Sequence, residues 1–257
     1  MKRSTPKITY KQYGGKSSIA GWVISHFPDH RTYVEPFCGS CAVLFRKPKS
    51  FIEIVNDSDG RIINMFEQIR SRPKELAALL WATPHAEANW RCHEVDDKDL
   101  EDARLLMAQG VQFYCGSGRT STWSVDISGA PHKPKAAVWA DWFLRVAPAA
   151  ARLKDVTILS EDALKTIGRV ADKPHVFLYV DPPYLGHEKE YRESVDYHEM
   201  VKLLVSANAK VAVSEYPEAA SMYPGWRVAT KETAGRARTG AHKSKAKKKT
   251  ECLFMNY

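Results

Sequence analysis

The chain has 257 residues, of which 44% are hydrophobic and 26% charged, and 38 Lys+Arg against 30 Asp+Glu give a net charge of +8. This composition excludes a disordered chain, and the length predicts one large domain or one domain with a substantial insertion. Because no apolar run approaches about 20 residues, and none follows the basic first residues, neither a membrane span nor a signal peptide is expected.

Short apolar runs that end in acidic or turn residues lie towards both ends of the chain. Each is rich in β-branched residues, and such runs are typical of buried strands in an α/β sheet. The predicted strands cover residues 32–36, 51–57, 156–162, 176–181, 210–215 and 251–257. Helical patterns at residues 61–70 and 197–207 lie between them, so strands and helices alternate.

The middle of the chain differs, because its patterns are helical and polar and contain no convincing strand. Helices are expected at residues 75–81, 99–113 and 136–146, with a loop at 115–124. We interpret residues 73–148 as a helical subdomain inserted into one α/β domain made of residues 1–72 and 149–257; the family resemblance described below implies that such an insertion serves target recognition. The alternative is that these helices simply cover one face of the sheet.

The motif DPPY occupies residues 181–184 and directly follows a predicted strand. Two prolines cannot continue a strand ladder, so the chain must leave the sheet at the carboxyl end of a strand, where α/β folds bind ligands. Asp181, Pro182, Pro183 and Tyr184 would then present a carboxylate, two carbonyl groups and an aromatic ring to a cleft. The alternative is a strand-ending turn in which Tyr184 only packs.

Other segments, in a shared order along the chain, resemble the Dam-type (D12 class) adenine-specific DNA methyltransferases, in particular those of phages and prophages. They are YGGK at residues 13–16 with ISHFP at 24–28, YVEPFCG at 33–39, ND at 56–57 and TECLFMNY at 250–257. The resemblance covers nearly the whole chain. It implies a Rossmann-like α/β methyltransferase fold with a mixed seven-stranded sheet. It also implies site-specific transfer of a methyl group from S-adenosylmethionine to the N6 amine of adenine in DNA.

The resemblance also implies a set of residues that bind S-adenosylmethionine. These are Tyr13, Lys16, Glu35, Phe37, Gly39, Asp57, Asp162 and Asp181. Gly39 lies in a strand-to-helix turn, where a small residue lets the backbone approach a ligand closely. Asp57 follows it by 18 residues, near the offset at which nucleotide-binding folds place an acid for ribose hydroxyls.

Several of these cofactor residues also have ordinary structural interpretations. Asp57 could cap the next helix, a role that Asp59 could fill instead, and Asp162 or its neighbour Glu161 could be a cap as well. Lys16 could be a solvated surface lysine. The chain departs from the family pattern at two places. Cys41 stands where relatives usually have a second glycine. Relatives often have an aromatic residue two positions before Gly-Gly-Lys, whereas this chain has Gln12 there and Tyr13 next to the first glycine.

No metal is expected. Cys38 and Cys41 form a lone C-x-x-C without the second ligand pair that a zinc site needs. Five cysteines in a chain of this size favour reduced thiols, and we expect a monomer in the cytoplasm of a bacterial or phage-infected cell.

In the mechanism that the resemblance implies, Asp181 and the Pro182 carbonyl accept the two N–H bonds of the target amine, and Tyr184 stacks on the base. The base must first leave the duplex, at a cost of a few kcal/mol. The same chemistry would serve the N4 amine of cytosine or adenine in RNA. A catalytically idle DNA-binding relative is a further alternative, whereas a dehydrogenase is disfavoured because no G-x-G-x-x-G follows the first strand.

Three segments are candidates for contacts with double-stranded DNA. The first is the loop with Arg119, Thr120, Ser121 and Trp123, and the second is Tyr191 with Arg192. The third is the basic segment, residues 227–249, which contains nine basic residues and one acid, including Arg236, Arg238, Lys243 and Lys245. The rest of the chain is neutral, with 29 basic and 29 acidic residues. We expect the basic segment to be a mobile loop that grips phosphates, the alternative being a solvated flexible run.

Overall fold

The structure, a computed structural model, describes residues 6–11, 14–87, 95–113, 123, 133–185, 195–233 and 249–257. Several predicted site residues lie outside the described residues. These are Tyr13, Arg119, Thr120, Ser121, Tyr191, Arg192, Arg236, Arg238, Lys243 and Lys245.

The strands form one mixed seven-stranded sheet. They are β1 (Thr32–Glu35), β2 (Ile52–Asn56), β3 (Thr157–Leu159), β4 (Val176–Val180), β5 (Lys210–Glu215), β6 (Arg227–Thr233) and β7 (Lys249–Met255). Their order is β3-β2-β1-β4-β5-β7-β6, and β7 is antiparallel to both β5 and β6. The prediction of an α/β fold with a mixed seven-stranded sheet is confirmed.

Strand β6 corrects one prediction, because the basic segment was expected to be a loop from residue 227 to 249. Its first seven residues are a strand that pairs with β7 from Arg227↔Met255 to Thr233↔Lys249. Five of the seven residues of β6 are polar or charged, exposed and half-buried positions alternate from Val228 onward, and none of its side chains is fully buried. This pattern is typical of a solvent-exposed edge strand. Because its charged side chains interrupt any apolar run, the sequence does not predict a strand there.

The helices of the described residues have the following bounds. They are α1 (Ala20–Ile24), α2 (Ala42–Arg46), α3 (Gly60–Ser71), α4 (Pro73–Ala82), α5 (Lys98–Gln112), α6 (Lys135–Ala140), α7 (Val146–Leu153), α8 (Ala163–Val170) and α9 (Tyr197–Val205). Short 3₁₀ helices cover Lys16–Ser18, Trp142–Arg145 and Pro217–Met222. Among the described helices, none is long and apolar enough to cross a membrane.

The single helix predicted at residues 136–146 is wrong in its extent. Helix α6 ends at Ala140, a 3₁₀ turn follows, and α7 begins at Val146. Pro148 lies in the first turn of α7. N–H groups in a first turn make no hydrogen bond within the helix, so the lack of an N–H in proline costs nothing there. The chain can therefore start a new helix there.

One compact unit, the first unit, comprises residues 1–26, 38–49 and 53–161. Within it, α3 packs against α5 and α7. Trp142 is fully buried, donates its indole N–H to the Thr9 carbonyl at 2.7 Å and lies 3.5 Å from the Arg145 guanidinium. The boundaries of an inserted subdomain at residues 73 and 148 stay a prediction.

The other compact unit, the second unit, comprises residues 27–37, 50–52 and 162–257. Strands β4 and β5 form its centre, and all five residues of β4 are buried. Phe27 packs on Phe177 with ring centroids 4.6 Å apart, and Phe254 packs on Tyr223 at 5.3 Å. Because β4 is buried and apolar, the DPPY motif starts from a rigid position.

A buried cluster of three charges stabilises the first unit. Glu53 on β2 accepts hydrogen bonds from Lys47 at 2.7 Å and from Arg152 at 2.5 and 2.8 Å. The cations also donate to backbone carbonyls, Lys47 to Pro48 and Arg152 to Leu44. One buried carboxylate therefore compensates two buried cations.

Replacing Glu53 by Gln should lower the free energy of unfolding by about 3–5 kcal/mol, because two buried cations would lose their counter-charge. Chemical denaturation measures this decrease. Asp155→Asn is the control, since it breaks the exposed Asp155–Lys49 pair and should lower the free energy of unfolding far less. Equal decreases in the two variants would contradict the interpretation.

Candidate active site

The residues of the candidate site lie in both units, and each set is described in turn. In the first unit, the turn that leads to α2 has two left-handed residues, Gly39 with a φ of 46° and Cys41 with a φ of 51°. Glycine takes this conformation freely, whereas a Cβ raises its energy by roughly 1–2 kcal/mol. The backbone at position 41 therefore has a conformation that favours glycine, and this chain has a buried cysteine there.

Asp57 holds this turn in place. Its Oδ2 accepts the Gly39 N–H at 2.8 Å, and its Oδ1 accepts the Asp59 N–H at 3.0 Å. Asp59, rather than Asp57, caps α3 by accepting the Arg61 N–H. Contact of Asp57 with the ribose hydroxyls of a cofactor stays a prediction.

Lys16 is buried, with 5% of its surface exposed, and its Nζ donates to the Gly14 carbonyl at 3.0 Å. The interpretation as a solvated surface lysine is therefore wrong. Gly14 has a φ of 73°, a conformation that favours glycine. The Gly-Gly-Lys run thus forms a compact turn that buries a positive charge.

Asn56, which the sequence did not single out as a site residue, fixes the chain after β3. It is fully buried, its Nδ2 donates to the Glu161 carbonyl at 2.9 Å, and its Oδ1 accepts the Glu161 N–H at 3.0 Å. Asp162 caps α8 by accepting the Leu164 N–H at 2.7 Å, so Asp162 has the role of a helix cap. Its contact with a cofactor stays a prediction.

In the second unit, three carboxylates lie at the carboxyl ends of parallel strands. Glu35 is the last residue of β1, Asp181 follows β4, and Glu215 is the last residue of β5. The registers of β1 with β4 and of β4 with β5 bring these ends to the same edge. Glu35 is buried and its Oε2 accepts the Tyr33 hydroxyl at 2.9 Å.

Tyr184 is held by two contacts. Its hydroxyl donates to Glu251 Oε2 at 2.7 Å, and its ring meets that of Tyr216 edge to face, with centroids 4.5 Å apart. Burial raises the pKa of Tyr184 well above its usual value, and the charges of Asp181 and Glu251 act in the same direction, so the hydroxyl remains a donor. Only 5% of Tyr184 is exposed, and its stacking on a base stays a prediction.

Glu215 is the most constrained acid at this edge. It is 1% exposed, and it accepts the Tyr216 N–H at 2.8 Å, the Leu185 N–H at 3.2 Å and the Tyr197 hydroxyl at 3.1 Å. Burial raises its pKa from 4.5 to about 7, opposed by these hydrogen bonds and assisted by the charge of Asp181. The sequence held a signal for Glu215, since it ends a predicted strand just as Asp181 follows one.

The remaining predicted residues are placed as follows. Phe37 is half-buried. Trp123 packs on His85, with ring centroids 4.5 Å apart, and pairs with Phe113 through an isolated bridge, so its role as a wedge in DNA stays a prediction. Cys38 and Cys41 are buried thiols, and the described residues contain no group of three His, Cys, Asp or Glu suited to a metal ion.

Stability at neutral pH should depend on Glu215. Because its pKa is raised in the folded state, protonation favours folding; the contribution is complete below pH 4.5 and is lost as the pH rises through about 7. In Glu215→Gln this titration is absent. Between pH 5 and 8 the wild type should therefore lose about 1–3 kcal/mol of unfolding free energy relative to the variant, measured by urea denaturation. Parallel pH profiles would refute the assignment.

Comparison with known proteins finds a family model that matches the N-terminal part of the chain. Among solved structures, the chain is similar to precorrin 8W decarboxylase of Methanobacterium thermoautotrophicum, at 12% identity over 92% of this chain and 88% of that chain, with a TM-score of 0.40. It is also similar to a putative RNA methyltransferase from Pyrococcus horikoshii, at 10% identity over 98% and 89%, with a TM-score of 0.35. Residues 13–98 match the model of the D12 class N6 adenine-specific DNA methyltransferases.

Proposed function

We propose that this protein transfers a methyl group from S-adenosylmethionine to the N6 amine of adenine in DNA, with Asp181 and the Pro182 carbonyl orienting the amine. One observation carries the proposal beyond the matched residues 13–98. The DPPY motif leaves the carboxyl end of the buried strand β4 and is held there by hydrogen bonds to Tyr197 and Glu251, while Leu185, the next residue, donates to Glu215. A motif that only ended a strand would not need three side chains to fix it.

The residues of the first unit are suited to hold the cofactor. Bound S-adenosylmethionine supplies an electrophilic methyl group. Asp57 would accept the two ribose hydroxyls, while the left-handed Gly39 lets the backbone approach the ligand. Lys16, buried and fixed to Gly14, would neutralise a carboxylate such as that of the methionine part.

Asp181 and Pro182 have the chemistry to orient an exocyclic amine. The lone pair of that amine is delocalised into the ring, which makes it a poor nucleophile. Two acceptors that bind both N–H groups favour a tetrahedral nitrogen with its lone pair directed at the methyl group. Methylation makes the nitrogen acidic, so the proton leaves afterwards and Asp181 need not be a strong base.

The same residues would serve the N4 amine of cytosine or adenine in RNA, and a DNA-binding relative without activity would keep the fold. The match to adenine-specific DNA enzymes favours adenine in DNA. Analysis of the methylated nucleosides from DNA and RNA separates the enzymatic alternatives. Calorimetry with S-adenosylmethionine separates an enzyme from an idle relative, which should bind none.

Asp181→Ala should abolish methyl transfer, with a decrease of at least about 10²–10³-fold in rate, because one of the two acceptors of the amine is removed. The measurement is incorporation of labelled methyl groups into DNA, followed by nucleoside analysis. Calorimetric binding of S-adenosylmethionine establishes that the variant is folded. Asp172→Ala, which removes an exposed acid of the same unit, should retain full activity. Normal activity of Asp181→Ala would refute the proposed role.

The basic segment would bind the phosphates of DNA. Replacing Lys243, Lys245 and Lys247 by Gln should weaken binding to all DNA sequences alike. It should also reduce the slope of the logarithm of the binding constant against the logarithm of the salt concentration, by up to about 0.9 for each phosphate that is no longer neutralised. Titrations of labelled duplexes at several salt concentrations measure both effects. The control replaces three exposed lysines elsewhere, Lys49, Lys173 and Lys202. Equal effects of the two triple variants would contradict a specific role of the basic segment.

A further inference from the structure

The loop that carries Asp181 has few backbone groups with which to hold itself in place. Pro182 and Pro183 have no N–H, so after Asp181 the loop has no backbone donor until Tyr184. The direction of the Pro182 carbonyl therefore depends on what binds the following residues. The described residues show two such hydrogen bonds to the backbone, one at the Pro183 carbonyl and one at the Leu185 N–H.

Both hydrogen bonds lead to Glu215. Its Oε2 accepts the Leu185 N–H at 3.2 Å and lies 3.1 Å from the Tyr197 hydroxyl, which in turn donates to the Pro183 carbonyl. The loop is thus bound on both sides of Tyr184 by one carboxylate, directly on one side and through a tyrosine on the other.

Glu215 is itself rigidly placed. It ends β5, a strand that pairs with β4 on one side and β7 on the other, and it lies directly opposite Cys252. Its second oxygen, Oε1, accepts the N–H of the next residue, Tyr216, at 2.8 Å. Since the side chain is 1% exposed, water does not compete for these hydrogen bonds.

Tyr197 is equally well supported. It is the first residue of α9, and the Asp196 side chain caps that helix by accepting the Glu199 N–H at 3.0 Å. Helix α9 packs against α8 in the same unit. A hydroxyl at the start of a capped helix is held at a defined distance from the loop, unlike one on a surface turn.

We propose that Glu215 and Tyr197 are positioning residues for methyl transfer: they fix the backbone of residues 183–185 and thereby aim the Pro182 carbonyl and the Asp181 carboxylate at the amine. The inference rests on the function proposed above and adds two residues outside the DPPY motif. Neither residue needs to touch the substrate. Their effect is on geometry, where a displacement of about 1 Å can cost 10²-fold in rate.

The raised pKa of Glu215, about 7, supports this arrangement. The Tyr197 hydroxyl has one proton but lies near two acceptors, the Pro183 carbonyl and Glu215 Oε2. A protonated Glu215 donates to the Tyr197 oxygen and leaves the tyrosine proton for Pro183. The groups that face Glu215 are Asp181, Tyr197, Tyr223 and Cys252, with the N–H groups of Leu185 and Tyr216.

The test measures the single-turnover rate of DNA methylation at saturating S-adenosylmethionine and DNA in Tyr197→Phe and Glu215→Gln. We expect the rate constant to fall 10- to 100-fold in each, while the dissociation constant and stoichiometry for S-adenosylmethionine stay within twofold of the wild type. A purely structural defect would lower the amplitude and stoichiometry instead of the rate constant. If Tyr197→Phe does not fold, Glu215→Gln carries the test.

Tyr257→Phe is the matched control, since it removes a hydroxyl from a half-buried tyrosine of the same unit that packs on Phe177. It should retain the wild-type rate. Unchanged rates in Tyr197→Phe and Glu215→Gln, or an equal fall in Tyr257→Phe, would overturn the inference while the proposed function stands. A wild type that methylates no adenine overturns the proposed function and this inference with it.

Discussion

The absence of backbone N–H groups at Pro182 and Pro183 is the constraint on which the second half of the site depends. A strand that ends in two prolines gains stiffness from their fixed φ but loses its ladder of hydrogen bonds. Side chains of β5, β7 and α9 replace that ladder through Glu215, Glu251 and Tyr197. The order of the loop is therefore a property of its neighbours more than of the motif itself.

In the first unit, the turn at Gly39 is also held by a side chain, the single carboxylate of Asp57. Asp57 binds the N–H of Gly39 and that of Asp59, so it orders the turn before any ligand is present. A site of this kind loses little conformational entropy when a ligand binds, because its acceptors already point in fixed directions. The capping of α3 by Asp59 leaves Asp57 available for this role.

Much of the fold could be predicted from the sequence, since buried parallel strands such as β4 and β5 are continuous apolar runs with clear ends. Strand β6 could not, because an edge strand with Lys231 and Glu232 in it has no such run. The motif residues from Lys16 to Tyr184 were visible as sequence patterns. Glu215 was visible only as the end of a predicted strand. Glu251 and Tyr197 were not visible, because their contacts arise only when β7 and α9 lie beside the loop in the folded chain.

Strand β7 connects the basic segment with the DPPY motif, which are far apart in the sequence. Lys249 and Glu251 are two residues apart on it, so their side chains lie on one face of the sheet, where Lys249 donates to the Tyr216 hydroxyl and Glu251 accepts that of Tyr184. Lys249 is also the last residue of the basic segment and pairs with Thr233. Strand β7 also pairs with β5, so a shift of β7 by one residue against both neighbours would turn Glu251 to the opposite face and deprive Tyr184 of its acceptor. The pairing at the end of the basic segment and the position of the Tyr184 ring therefore depend on the register of the same strand.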